Sequence, residues 1–262
     1  MATKTICFAN NKGGSGKSTT CANVAYAMAL EGLRVLMIDG DGQSNLTLSY
    51  FDEEQTLSFA ETDRNLYAYL RSHIPYDEVI VKTAYENLDL LPASAALSAV
   101  DNLLLSAYEK EYVFREKLQR IIASEAYDAI CIDAPPTLGL WVTNLLCAAN
   151  ALIIPVEASP WGLYGLANMF DFYAKAQAQN KSLDFLGVLV TKADERKNYF
   201  KQTVADLKEL PDIHFFETYV HVDSAVEWAQ DSSMPVIAYK KSSRSAKEYQ
   251  KLTKEILNDA GR

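Results

Sequence analysis

A glycine-rich segment ending in lysine and serine is the clearest place for chemistry in this sequence. Residues 13–18 read Gly-Gly-Ser-Gly-Lys-Ser, follow the apolar run Thr5–Ala9 and open a helical pattern at Ser18. Glycines let backbone N–H groups turn inward around phosphate oxygens, and the start of a helix adds donors and partial positive charge. We therefore predict that this segment binds nucleotide phosphates.

The end of the segment, Gly16-Lys17-Ser18, matches the Walker A motif of nucleotide-binding proteins. We expect the Lys17 ammonium to reach the β- and γ-phosphates of ATP and the Ser18 hydroxyl to ligate Mg²⁺. The predicted nucleotide-binding residues are Lys12, Gly13, Gly14, Ser15, Gly16, Lys17, Ser18 and Thr19.

Aspartates follow two other apolar runs. Asp39 and Asp41 come directly after Arg34–Ile38, and Asp133 ends the run Ala129–Ile132. A metal–triphosphate complex needs carboxylates at neighbouring strand ends, so we expect Asp133 to bind a water coordinated to Mg²⁺. A turn at Gly40-Asp41-Gly42 is expected to redirect Asp41.

These motifs resemble those of the ParA/MinD class of ATPases, whose Walker A motif is a variant. Lys12 stands at the start of the loop, and Asn11 replaces the glycine of the strict motif. Residues 38–47 are similar to the Asp-x-Asp-Pro-Gln-Gly-Asn stretch of that class, and residues 133–136 match its Asp-x-Pro-Pro. Further landmarks extend the resemblance, which is to ParA and Soj, over nearly the whole chain.

The resemblance implies roles for the residues of the site. In that family the extra lysine, here Lys12, reaches across a dimer interface to the partner's nucleotide, while Asp39 assists the Mg²⁺ site and Asp41 positions the attacking water. The implied metal-binding residues are Ser18, Asp39 and Asp133, and the implied catalytic residues are Lys12, Lys17 and Asp41. The chain departs from the family at Gly42, which replaces proline, and at Ser44, which replaces glycine.

The resemblance also implies partners: an ATP-bound homodimer that binds DNA nonspecifically and drives plasmid or chromosome segregation with a ParB-like activator. Arg196 aligns with a basic residue that ParA-like proteins use on DNA, and Lys197 and Lys201 lie beside it. The net charge is −9, and residues 221–225 lack the arginines that the family has there. A second hypothesis is therefore a positioning switch like MinD or McdA that recruits a protein cargo.

Two other segments allow further interpretations. Residues 191–194, Thr-Lys-Ala-Asp, also fit the element with which many GTPases read guanine, so GTP is a secondary option. The helix predicted over Ala246–Ile256 is amphipathic and basic, as a membrane anchor would be. Its apolar face is small, so we expect it to pack on the sheet and expect no membrane partner. We assign no function to the three histidines.

The elements that position these residues alternate between apolar strands and amphipathic helices. The predicted strands, rich in Ile, Val and Leu, are Thr5–Ala9, Arg34–Ile38, Leu88–Leu91, Ala129–Ile132, Ala151–Val156 and Phe185–Thr191. The predicted helices are Ser18–Leu30, Phe114–Ile122, Leu163–Tyr173, Phe200–Leu207 before Pro211, and Ala246–Ile256. This alternation predicts a doubly wound, mostly parallel α/β sheet flanked by helices, in one domain over residues 1–262. Residues 44–80 give the weakest pattern.

The composition is globular, with 49% hydrophobic residues. No apolar run is long enough to span a bilayer, and Met1–Lys4 leave no room for a signal peptide. We therefore expect a cytoplasmic protein, with association with the nucleoid as a further expectation. The cysteines Cys7, Cys21, Cys131 and Cys147 lie apart in apolar stretches and are expected to be buried small hydrophobes.

Overall fold

A computed structural model describes residues 3–209 and 213–259, which form a seven-stranded sheet with helices packed around it. The strands are β1 Lys4–Phe8, β2 Val35–Asp39, β3 Val81–Lys82, β4 Leu88–Leu91, β5 Ala129–Asp133, β6 Ala151–Glu157 and β7 Asp184–Thr191. Their order across the sheet is β3-β4-β2-β5-β1-β6-β7, and β3 alone among these strands runs antiparallel. The predicted doubly wound, mostly parallel sheet is confirmed.

Helices connect the strands and cover the sheet. They are α1 Lys17–Leu30, α2 Asn45–Leu48, α3 Glu53–Glu61, α4 Leu66–Arg71, α5 Tyr76–Val79, α6 Val100–Leu105, α7 Val113–Ile122, α8 Leu140–Ala148, α9 Pro160–Gln179, α10 Asn198–Lys208, α11 Ser224–Asp231, α12 Val236–Tyr239 and α13 Arg244–Asp259. Residues 95–99 form a short 3₁₀ helix. Pro211, which was expected to follow the end of one predicted helix, and the side chain of Leu163, which belongs to another, lie outside what the structure describes.

Residues 44–80, whose pattern was weak, fold into four short helices. Helices this short depend on local capping and tertiary contacts more than on a long apolar stripe, which explains the weak periodicity. α3, for example, begins with a capping box in which Asp52 accepts the backbone N–H of Gln55 at 2.8 Å and the Gln55 side chain accepts the N–H of Asp52.

Buried apolar residues cover both faces of the sheet, as the near-continuous apolar strands require. α13, which we expected to pack on the sheet, packs chiefly against α1, and it buries Ala246, Tyr249, Leu252 and Ile256 in the apolar cluster that also contains sheet residues of that face. All four cysteines are buried and free, as expected. No helix within the described ranges is long and apolar enough to cross a membrane.

The sheet brings the predicted chemical residues to one edge. β5 lies between β1 and β2, with Phe8 and Asp39 both in register with Asp133. The loop that follows β1 and the turn that follows β2 therefore leave the sheet on either side of Asp133. Their side chains meet beyond the carboxyl ends of the strands, where doubly wound sheets bind ligands.

Candidate nucleotide-binding site

Two glycines in the left-handed region shape the loop between β1 and α1. Gly14 has φ 74° and Gly16 has φ 84°, which a residue with a Cβ adopts only at a cost. Gly16 directly precedes α1, and residues 17–19 of the first helical turn line the cavity in front of the loop. The N–H groups of a first turn have no partner inside their helix, so they offer donors and partial positive charge to an anion.

Lys17 lies at the base of this loop and is 6% exposed. Its ammonium donates to the Lys12 carbonyl at 3.1 Å. Burial lowers the pKa of Lys17, whereas the nearby carboxylates of Asp133 and Asp41 act to raise it. An ammonium carries three N–H groups, and the Lys17 ammonium donates one hydrogen bond within the described part of the chain. Two N–H groups are therefore available to phosphate oxygens.

Asp133 ends β5 in the middle of the site and is fully buried. Within the described residues neither carboxylate oxygen meets a well-aligned donor, although the Ser18 hydroxyl is close enough to lower the pKa. Burial, and next the neighbouring Asp39 carboxylate, raise the pKa of Asp133 well above its usual range. An unpaired buried carboxylate is costly until a cation or a bound water approaches it, so this group fits a Mg²⁺ site.

Asp39 is held quite differently, although it is the register partner of Asp133. Its Oδ2 accepts the backbone N–H of Thr47 at 2.8 Å and the Thr47 hydroxyl at 2.7 Å, and its Oδ1 accepts the backbone N–H of Asp41 at 3.1 Å. Burial nevertheless raises the pKa of Asp39 to about 6. A carboxylate has about four acceptor positions, so about one is left for a metal-bound water. Thr47 lies in the weakly patterned residues 44–80, so no sequence signal indicates this role, and its hydroxyl also accepts the Ala93 N–H at 3.2 Å.

The turn after β2 brings Asp41 to the cavity. The backbone N–H of Gly40 donates to the Asp133 carbonyl at 2.9 Å, and a Cβ at Gly40 would lie 2.7 Å from that oxygen. Only glycine permits this close approach. Trp141 donates its indole N–H to the Gly40 carbonyl at 2.8 Å. Asp41 is 8% exposed and accepts the backbone N–H of Gln43 at 3.0 Å, which fixes its orientation.

These groups surround a cavity of about 710 Å³. Its lining includes the loop, Asp41, residues 220–223 and α11, from which Val226 and Gln230 contribute. The volume is typical of a site for an organic ligand and is far more than a simple anion needs. Basic and backbone donors beside carboxylates suit the phosphates and metal of a nucleotide, and the valines offer an apolar surface to a base.

Lys12 lies at the edge of the same region. Its ammonium donates to the Ser159 hydroxyl at 3.0 Å and is 3.6 Å from a carboxylate oxygen of Glu157. The single chain thus places this ammonium at the end of β6, and its action on a second copy remains a prediction.

Comparison with known proteins identifies the family. A family model described as an AAA domain matches residues 3–185. The sporulation initiation inhibitor protein Soj of Bacillus subtilis is 32% identical over 97% of this chain and 98% of that protein. The chromosome partitioning protein ParA of Caulobacter vibrioides is 30% identical over 97% of this chain and 94% of that protein. The chain belongs to the ParA/Soj family of P-loop ATPases.

As a ParA/Soj-like ATPase, the protein hydrolyses ATP with Mg²⁺. The crystal structure of cobyrinic acid a,c-diamide synthase from Mycobacterium smegmatis, with bound ADP and magnesium, matches it with a TM-score of 0.83 at 25% identity, over 99% of this chain and 97% of that one. The unpaired oxygens of Asp133 and the donors of the loop fit this cofactor pair. Throughout the described residues no group of three or more His, Cys, Asp or Glu side chains forms a metal cage. Phosphates and water would therefore complete the ligands of Mg²⁺, as is usual for this ion.

The residues that the ParA resemblance assigns to DNA, Arg196, Lys197 and Lys201, are exposed on the loop after β7 and on α10. The Arg196 side chain is 90% exposed and donates to both oxygens of Asp194, at 2.8 and 3.0 Å. This contact holds the pKa of Asp194 at about 2. Asp194 is not among the residues that line the cavity, so the guanine-reading function of residues 191–194 has no geometric support.

Sequence analysis also missed a cluster that joins this loop to α13. His221 is 9% exposed and lies between two carboxylates, with Nδ1 2.7 Å from Glu248 and Nε2 2.9 Å from Glu195. Arg244 contacts the same two groups, at 2.8 Å from Glu248 and 3.8 Å from Glu195. No motif or spacing relates these residues along the chain, so the sequence carries no signal for the cluster.

Proposed function

We propose that the protein is an ATP-driven dimer switch that binds DNA without reading its sequence and drives plasmid or chromosome segregation with a ParB-like partner. The observation that carries this proposal is an exposed basic surface that lies next to the nucleotide cavity and is connected to it through His221. The names of the relatives in Bacillus subtilis and Caulobacter vibrioides also support a role in segregation.

On this proposal the loop holds the phosphates of ATP. Lys17 and the backbone N–H groups of residues 17–19 bind phosphate oxygens, and Ser18 and Asp133 face the metal. Mg²⁺, when bound, offsets the charge that develops on the phosphoryl group. Asp41 orients the attacking water, and because phosphoryl transfer is loose, its placement matters more than its strength as a base. Asp39 would assist the metal site with its remaining acceptor position.

Dimerisation makes the site a switch. The Lys12 and Glu157 side chains are 29% and 33% exposed, and such a partly solvated ion pair is weak enough for a phosphate to displace it. In an ATP-bound pair of chains, Lys12 reaches the partner's phosphates and adds a cation in trans, as an arginine finger does. ADP lacks the γ-phosphate, so ATP favours the pair more than ADP does.

The basic surface is made of exposed cations from two segments. Its members are Arg196, Lys197 and Lys201 from the loop after β7 and α10, and Arg244, Lys247, Lys251 and Lys254 from α13. The four on α13 recur at helical spacing and share one face. Glu195 connects the segments, because it contacts Arg244 at 3.8 Å and His221 at 2.9 Å. A row of cations of this kind suits duplex phosphates and would hold the protein on the nucleoid.

Co-sedimentation with duplex DNA tests the proposal, with ATP, ADP and no nucleotide compared and Asp41→Ala used to trap the ATP state. We expect only the ATP state to sediment with DNA at low salt. Lys247→Glu should weaken this binding about tenfold, since one cation is replaced by an anion. Lys181→Glu is the matched control, because Lys181 is exposed but precedes β7 at the opposite edge of the sheet. An ATP state that dimerises but ignores DNA at low salt would overturn nucleoid tethering.

A positioning switch that recruits a protein cargo is the second candidate, and specific contacts favour it. Arg196 is paired with Asp194, and Lys251 lies 3.7 Å from Glu255, so part of the basic surface is neutralised. The net charge of −9 also weakens the attraction of the protein to DNA, which is itself an anion. This candidate predicts ATP-dependent dimers in sedimentation velocity with no change when DNA is added.

A further inference from the structure

The segment after β7 lies against the phosphate loop. Thr191 ends β7, and its hydroxyl donates to the Ser15 carbonyl at 2.9 Å. A Cβ at Gly16 would lie 3.4 to 3.6 Å from the Thr191 side chain, so the two segments are in van der Waals contact. The residues that follow Thr191 are therefore placed at the loop, although Thr191 is 176 residues from Ser15 along the chain.

Lys192 follows in a backbone conformation that lysine rarely adopts. Its φ is 50°, in the left-handed region, which costs about 1 kcal/mol for a residue with a Cβ. The next residue holds this conformation in place, because the Ala193 N–H donates to the Val220 carbonyl at 3.0 Å and the Ala193 carbonyl accepts the Val222 N–H at 3.1 Å. The surrounding structure thus fixes the direction in which the Lys192 side chain leaves the backbone.

The Lys192 side chain extends over the phosphate loop. Its ammonium is 3.8 Å from the position of a Cβ at Gly14, and Lys192 lines the nucleotide cavity. Across the described ranges it makes neither a hydrogen bond nor an ion pair, in a chain with nine more acidic than basic residues. A cation held over a loop of backbone donors and left without a carboxylate is suited to an anionic or strongly polar ligand.

We propose that Lys192 is a nucleotide-binding residue that contacts the part of the ligand common to ATP and ADP. The ammonium lies over Gly14, while the neighbouring Ala193 pairs with residues 220–222, which line the cavity. Lys192 therefore lies between the loop and the rest of the cavity, where the ribose and first phosphate of a bound nucleotide lie. In the proposed function Lys17 serves the terminal phosphates of this nucleotide and Lys12 those of the partner's nucleotide, which leaves the inner part of the ligand to Lys192. The assignment rests on the proposed position of ATP in this cavity.

Calorimetric titration of the full chain with Mg·ADP and with a non-hydrolysable Mg·ATP analogue tests this role. Lys192→Met should weaken both nucleotides about tenfold, the loss of one charge-assisted hydrogen bond, and leave their affinity ratio unchanged. KM for ATP should rise by the same factor while kcat stays within about twofold, since the contact is equal in the ground and transition states. Lys192→Arg should retain most of the affinity. Lys192→Gly should weaken binding like Lys192→Met even though it relieves the backbone strain.

Lys175→Met, at an exposed position on α9, is the matched control and should change neither affinity. Unchanged affinities in Lys192→Met, or a loss confined to the ATP analogue, would overturn the proposal. Lys17→Ala separates this outcome from a failure of the cavity itself. If Lys17→Ala binds both nucleotides as well as the natural chain does, ATP binds elsewhere. If only Lys17→Ala weakens binding, the cavity is correct and Lys192 is not a ligand of the nucleotide.

Discussion

The phosphate-binding edge and the basic surface carry charge in opposite ways. At the edge, Asp133 is fully buried and meets no well-aligned donor among the described residues, and Lys17 is buried with a single hydrogen bond to that part of the chain. On the basic surface, Arg196 and Arg244 have exposed side chains that already contact Asp194 and Glu248. The first region holds buried charges with few hydrogen bonds, and the second holds exposed charges that are solvated and in part paired.

This difference determines how each region contributes to folding stability and to ligand binding. A buried charge without a partner destabilises the empty protein and is stabilised when a ligand arrives, so the edge is built for tight, specific binding. Exposed ion pairs contribute about 0 to 1 kcal/mol and exchange readily for phosphates. The basic surface is therefore suited to weak and salt-sensitive contact, and changes in the two regions should differ strongly in size and kind.

Asp133→Asn should have the largest effect. Removing the carboxylate should lower ATP hydrolysis roughly 100-fold or more, because the metal loses its buried anion. The same change should raise the free energy of unfolding of the nucleotide-free protein by about 1–3 kcal/mol, because the cost of burying this carboxyl group, which is also what raises its pKa, disappears. Steady-state hydrolysis assays and urea denaturation in chelator measure the two quantities. A variant that is both inactive and less stable would contradict the view that Asp133 awaits a cation.

Asp39 should give the metal-free protein a pH dependence of stability. Burial raises its pKa to about 6 in the folded chain, from an ordinary value of 3.8, so folding favours the protonated form. The stabilisation is complete below about pH 4 and is lost as pH rises through 6, by about 3 kcal/mol at most. The difference in unfolding free energy between Asp39→Asn and the natural chain should therefore grow in favour of the variant from pH 4 to pH 7. Urea denaturation in chelator measures this difference, and a difference that does not change with pH would contradict a raised pKa of Asp39.

Gly40→Ala should destabilise the phosphate-binding edge by a steric clash, without any change of charge. The new Cβ would lie 2.7 Å from the Asp133 carbonyl oxygen, which belongs to the sheet backbone and cannot move away cheaply. We expect a loss of about 2 kcal/mol of unfolding free energy, in the range of overpacked cores, with reduced hydrolysis as Asp41 is displaced. Gly42→Ala is the control, because its nearest neighbour would be 3.5 Å away. Equal losses in the two variants would show that the close approach is not the cause.

The phosphate-binding edge is also the part of the molecule that the sequence predicts best. The loop, Asp39 and Asp133 are predictable because each is a few contiguous residues at a strand end, and a parallel sheet brings such ends together whatever the details. The sheet itself follows from apolar runs that suit strands buried on both faces.

Other features depend on contacts between distant segments. Thr47 holds Asp39 from a helix in a weakly patterned region, and Lys192 reaches the loop through the contact of Thr191 with Ser15. His221 was assigned no function because its partners come from two other segments. The contacts of Thr47 and His221 have no local pattern. Lys192 belongs to the Thr-Lys-Ala-Asp element, but its place over the phosphate loop follows from a contact between distant segments.

Ser44→Gly should produce a smaller change of the opposite sign. Ser44 has φ 57° in the turn after β2, where the family pattern has glycine, so the serine bears left-handed strain. Glycine removes the strain but adds freedom to the unfolded chain, and we expect a net gain of about 0.5–1 kcal/mol. Asn87→Gly at φ 60° is the control and should gain less, since asparagine tolerates this region. Thermal unfolding measures both, and a loss of stability in Ser44→Gly would show that its side chain is needed.

Lys254→Gln should leave stability nearly unchanged and still alter DNA binding. Lys254 is exposed on α13, and its substitution should change the free energy of unfolding by less than about 0.5 kcal/mol. If it contacts a phosphate, the slope of log affinity against log salt should fall by about 0.9, the value for one released counterion. Lys175→Gln, exposed on α9, should keep the full slope. An unchanged slope in Lys254→Gln would argue against a DNA contact by α13 and would favour the loop after β7 as the contacting segment. A reduced slope without loss of stability would show that the two regions can be altered independently.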